Sequence, residues 1–122
     1  MAKSKVYFAA NGATNWAEAK AVKAKNLFYM AGFDKCIKPG DSVAIKIHNG
    51  EWNRNTCLRP EDVATIVEEV KKCGGKPFVC DTTTLTYHLF NSRFDEIHAL
   101  RGSYRHGFNP NSMQCPVIIA DG

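Results

Sequence analysis

Apolar residues gather in four short runs: Val6-Tyr7-Phe8-Ala9-Ala10, Ser42 to Ile47, Lys76 to Cys80, and Pro116 to Ala120. Each has the length of a strand. The last is wholly apolar, as a strand buried on both faces is. Longer stretches with helical spacing lie between them. Trp16 to Met30 is rich in Ala and Lys and free of Pro and Gly, which favours helix. Asn15 suits the N-cap with Glu18 as its capping-box partner, and Gly32 suits the stop. Ala17, Ala21, Ala24, Phe28 and Ala31 recur on one face.

The clearest helix starts at Pro60, a residue that fits the first helical position. Glu61 and Asp62 lie at its positive end and Lys71 and Lys72 at its negative end. Val63, Ile66, Val67 and Val70 form one apolar stripe, and Gly74-Gly75 closes the helix. A third helix is predicted from Phe94 to Arg105, with Ser92 as cap. Strand–helix alternation with apolar strands predicts an α/β fold. The expected form is a Rossmann-like three-layer arrangement with a mainly parallel sheet of about four strands. The final strand is followed by only Asp121 and Gly122, which reads as a truncated single α/β domain, the amino-terminal part of a longer protein. Exposed apolar surface is then expected to make it oligomerise.

Composition narrows the function classes. The chain has 122 residues, 44% of them apolar, which suits one packed domain. Its net charge of +4 comes from 16 basic and 12 acidic residues, interspersed rather than clustered. A mildly anion-friendly surface is expected, without nucleic-acid binding. No run approaches the roughly 18 apolar residues of a membrane span, and no signal-peptide core is present. A cytoplasmic protein is expected. The five cysteines, Cys36, Cys57, Cys73, Cys80 and Cys115, lack C-x-x-C spacing, which argues against a disulfide framework or a self-contained metal site. Cys57, in a polar loop, is the one most exposed to reaction.

In open parallel sheets, ligands bind beyond the carboxyl ends of the strands. The second run ends there in His48, Asn49, Gly50 and Glu51, the third in Asp81, Thr82, Thr83 and Thr84, and the last in Asp121. His48 and Glu51 suit proton exchange or metal ligation, with Asp81 as a further ligand to a divalent ion. The alternative is a strand-end histidine bonded to its loop and a solvated acid. Asp81 with its threonines suits a cation, a phosphate or a sugar hydroxyl, or else an Asx-type turn. Gly50 either lets the backbone approach a ligand or only makes a turn. Arg54 and Arg59 suit a carboxylate or phosphate, or are surface arginines. His106 reads as a helix-end histidine favoured by the dipole. Phosphate-loop, dinucleotide and serine-hydrolase motifs are absent.

Several segments, taken in order, resemble the domain of unknown function 362 family. They are Val43 to Glu51, Leu58-Arg59-Pro60-Glu61, Gly74 to Thr82, His106-Gly107-Phe108, and Pro116 to Gly122. The family's pattern usually has an aromatic after the histidine, where this chain has Asn49. The resemblance implies a cytoplasmic protein of bacteria or archaea, often with a downstream ferredoxin-like segment that binds 4Fe–4S clusters. Such clusters need closely spaced cysteines. They are therefore expected in the longer parent protein and not in these residues. Two functions follow as expectations. One is an iron–sulfur-associated redox protein whose α/β domain binds a small anionic or metal-bearing ligand. There His48 and Glu51 handle protons or metal, Lys46 or Arg59 offsets negative charge, Asn49, Gly50, Thr82 and Thr84 line the ligand, and Asp81 and Asp121 orient it. The other is a non-catalytic module that docks a ferredoxin-like domain or protein partner.

Overall fold

A computed structural model describes residues 3–50, 56–83 and 96–120 of the chain. Three parallel strands, β1 (Ser42–Lys46), β2 (Lys76–Asp81) and β3 (Val117–Ile119), form one sheet in the order β1-β2-β3. Ser42 pairs with Lys76 and Lys46 with Cys80, while Cys80 pairs with Ile118. All three strands therefore end on the same edge of the sheet. The ladder continues past β1 through the Ile47 N–H to the Cys80 oxygen at 3.1 Å, which carries Ile47 to Gly50 alongside the end of β2.

The helices are α1 (Lys20–Met30), α2 (Pro60–Lys72), α3 (Glu96–Arg105) and the short α4 (Pro110–Met113). Helix α2 forms where its local signals place it, with Pro60 in the first turn, acids at the start and lysines at the end. Three members of its stripe are buried, Val63, Val67 and Val70 being less than a twentieth exposed, while Ile66 is half-buried. Each such valine contributes roughly 1.5–3 kcal/mol of transfer free energy. With Ile47, Val79, Phe108, Met113 and Cys115, Val63 and Val67 make the core between α2 and the sheet.

Two expectations are corrected. Val6 to Ala10 forms no strand, so among the described residues the sheet has three strands rather than four. Val6 is 88% and Phe8 85% exposed. Apolar patterning makes a strand only where a neighbour supplies ladder bonds. Here Lys23 Nζ binds the carbonyl oxygens of Ala10 and Gly12 instead. An apolar groove of about 820 Å³ lies between α1, α2 and β1, and Tyr7 lines it.

The first helix is also shorter than its sequence pattern. Trp16–Glu18 is a 3₁₀ turn, and Ala19 at ψ 148° breaks it from α1. Asn15 does cap, accepting the Ala17 N–H at 3.0 Å, but Glu18 reaches back to the Thr14 N–H rather than to Asn15. A second 3₁₀ turn, Phe33–Cys36, follows Gly32. Helix α4, with a full Asn109–Ser112 capping box, was not expected from the sequence. The proposed cap at Ser92 lies outside the described residues.

Candidate functional site

The strand ends converge on Asp81. Its residue is only 4% exposed, and both carboxylate oxygens are engaged. Oδ2 accepts the Asn49 N–H at 2.9 Å. Oδ1 accepts the Thr82 N–H at 2.9 Å and lies 2.9 Å from Lys46 Nζ. A buried carboxylate held by backbone N–H groups and a cation meets the requirement that buried charge be compensated. Asn49, itself 1% exposed, is thereby fastened to a residue 32 positions away.

Lys46 projects outward, with 59% of its side chain exposed. Its ammonium gives one N–H to Asp81 and another to the Ile47 oxygen at 2.6 Å. An ammonium has three donors, so one remains for a ligand. His48 is exposed, and its Nδ1 accepts the Gly50 N–H at 3.0 Å. Its other nitrogen, Nε2, is turned away from that bond.

Gly50 is where the elements crowd together. Its φ is +87°, and a Cβ there would lie 2.9 Å from His106 Nδ1 and 3.0 Å from Cys57 Sγ. Only glycine satisfies both the left-handed backbone and the missing side chain. His106 follows α3, and its Nδ1 stands 2.8 Å from the Asn49 oxygen. Gly107 makes the approach possible from the other side, because a Cβ on it would lie 2.9 Å from Pro60 Cγ. The end of α3 is thus wedged between the start of α2 and the loop after β1.

The structure therefore brings together Lys46, His48, Asn49, Gly50, Asp81 and Thr82 of the sequence-derived set. Arg59 sits exposed at the N-cap of α2, next to Pro60. Glu51, Thr84 and Asp121 lie outside the described residues, as does Arg54. His106 enters the cluster although its sequence context marked it only as a helix end. Its one sequence signal was the His106-Gly107-Phe108 segment. Cys57, singled out for its polar loop, lies against the same glycine.

All five cysteines are free thiols. Burial pushes the Cys80 and Cys115 thiols up, which keeps them protonated and unreactive near neutral pH. Among the described residues no three His, Cys, Asp or Glu side chains come together to hold a metal ion. These cysteines do not suit a 4Fe–4S cluster, which needs four converging thiolates.

The family model described as "Domain of unknown function (DUF362)" matches residues 43–122. The chain belongs to the DUF362 family. The matched span contains every residue of the strand-end cluster, from Lys46 to His106. A thylakoid-associated protein of Synechocystis sp. is 39% identical over 56 residues, covering 43% of this chain and 17% of that protein. The chain thus matches less than a fifth of the relative's length. No solved structure matches. Among the described residues of this DUF362 chain, no helix is long and apolar enough to cross a membrane.

Proposed function

We propose that the carboxyl edge of the sheet binds a small oxyanionic ligand. The observation that supports this most is the state of Lys46. Asp81 and the Ile47 oxygen fix its ammonium at the strand ends and use two of its three donors. The third is left for a ligand. His48 adds a second donor beside it, and Arg59 supplies a further positive charge at the start of α2. Asp81 is the positioning residue: it holds the lysine and the Asn49 backbone in one frame.

This domain is proposed to serve a longer, cytoplasmic, iron–sulfur-associated redox protein, with clusters carried on other residues. Membership of the DUF362 family and the far greater length of the relative support that reading, as does a full set of unpaired cysteines.

Titration of the full chain with inorganic phosphate, followed by isothermal calorimetry, tests the site. Saturable one-to-one binding that drops at least tenfold in Lys46→Met is the expected result. Absence of binding, or binding indifferent to that change, rejects it. Iron and sulfide analysis of the longer protein purified without oxygen tests the redox setting.

A further inference from the structure

The apolar groove between α1, α2 and β1 reaches around the outer edge of β1. Its lining takes in Asp41 to Ile45 without a gap, and so both pleat faces of the strand, but no residue of β2. β1 is also an end strand of the sheet. Two bonds show which way its backbone faces. The Asp41 oxygen accepts the Lys76 N–H at 2.7 Å, and the Ile47 N–H reaches the Cys80 oxygen at 3.1 Å. Alternate residues of a parallel strand turn both backbone groups toward the same neighbour. Asp41, Val43, Ile45 and Ile47 therefore bond β2, while Ser42, Ala44 and Lys46 turn their N–H and C=O groups outward. Among the described residues no backbone group pairs with that outward row.

The unmet backbone groups decide what fits the groove. Its walls are apolar, with Leu27 and Phe28 of α1, Phe33 beyond it, and Ile66 and Val70 of α2. A hydrocarbon ligand would cover those walls but bury the donors and acceptors of β1 without partners. An extended peptide meets both demands, because its backbone bonds the edge and its apolar side chains meet the walls. Helix α1 and the turn Phe33–Cys36 stand beside the edge, which leaves room for a single strand rather than for a second sheet.

The chain carries a segment of that kind. Val6, Tyr7 and Phe8 are strand-favouring residue types. Val6 and Phe8 are the most exposed large apolar residues among those described. The segment's own copy does not seat it. Lys23 Nζ holds the Ala10 and Gly12 carbonyl oxygens beside α1, and of residues 6–10 only Tyr7 touches the groove. One molecule thus has both an unfilled strand position and an unpaired strand-forming segment. Two copies that exchange their segments fill both positions, and the contact closes at two because each copy gives and receives the same element.

We propose that the chain forms a twofold dimer in which residues 6–10 of each copy enter the groove of the other and pair along its β1. The exchange covers the exposed edge of β1 and removes Val6 and Phe8 from water.

Sedimentation of the full chain at micromolar concentration tests it, with two single variants. Phe8→Asp alters only the segment, at a position too exposed to matter to the single-chain fold. Ala44→Pro alters only the edge: it removes an outward N–H, and proline is tolerated on an edge strand. Wild type is expected to sediment as a dimer. Each variant alone should dimerise about tenfold more weakly or worse. An equal mixture of the two should recover dimer that neither forms alone, since one sound segment then meets one sound edge. A misfolded variant could not be rescued in this way.

Monomeric wild type overturns the proposal and leaves the groove to the chain's own segment or to no peptide. A dimer that survives both substitutions places the interface elsewhere and overturns it as well. So does a mixture that stays monomeric when its components are monomeric.

Discussion

Tyr29 on α1 donates its phenol proton to Glu69 on α2 at 2.5 Å, across 40 positions of sequence. Glu69 is only 2% exposed, and it also accepts from Lys72 at 2.8 Å and lies 3.6 Å from Lys25. Burial pushes its carboxyl up, but the hydrogen bonds from Lys72 and Tyr29 and the charge of Lys25 hold it below the usual carboxylate range. The bond to Glu69 and partial burial raise the Tyr29 phenol to about 12. This network ties α1 to the helix that carries the core.

Its pH signature is two-sided. Tyr29 is held protonated in the fold, so its contribution is complete below the unfolded value near 10. It is lost as pH rises through about 12. Glu69 is held ionised, so its contribution is present above the ordinary carboxylate value and fades as pH falls through its lowered folded value. Urea midpoints measured against pH should decline at both ends. Tyr29→Phe should flatten the alkaline decline and also weaken the acid one, because Glu69 loses one of the bonds that hold it ionised while keeping those from Lys72 and Lys25; an unchanged alkaline slope would falsify the assignment.

Gly50→Ala meets two obstacles at once. The left-handed backbone costs an alanine about 1–2 kcal/mol, and the methyl collides with His106 and Cys57. A loss of at least that size in chemical denaturation is expected, together with shifted His106 ring resonances. A neutral substitution with unperturbed His106 signals contradicts the close approach.

Asp81→Asn keeps the side-chain shape and removes the charge. Hydrogen bonds to a charged group contribute roughly 1.5–3 kcal/mol, and a loss in that range is expected. Amide exchange should accelerate at Asn49 and Thr82, whose N–H groups Asp81 accepts. Exchange rates that stay as in wild type exclude the proposed bracing of the strand-end loop.

Phe108 is fully buried in the cluster with Ile47, Val63 and Met113. Phe108→Ala should cost about 3–5 kcal/mol, the range for an aromatic removed from a close-packed core. It should also loosen the His106 contact, because the two residues belong to one turn. Calorimetric unfolding measures the first effect and histidine NMR the second.

What sequence alone determined follows from short-range physics. Helix α2 is written in its own residues: proline in the first turn, charges matched to the dipole, a valine stripe and a closing Gly74-Gly75. The three true strands are equally legible, because apolar runs bounded by turn residues need no distant information. Parallel order then placed Lys46, Asn49 and Asp81 on one edge. Tertiary structure decided the rest. Val6 to Ala10 has a strand's pattern, yet no strand among the described residues pairs with it, since a strand is made by its neighbour as much as by itself. His106 looked like a helix end; its bond to Asn49 spans 57 positions and depends on two glycines letting three elements approach. Such contacts arise from how separate elements meet, and no local pattern encodes that meeting.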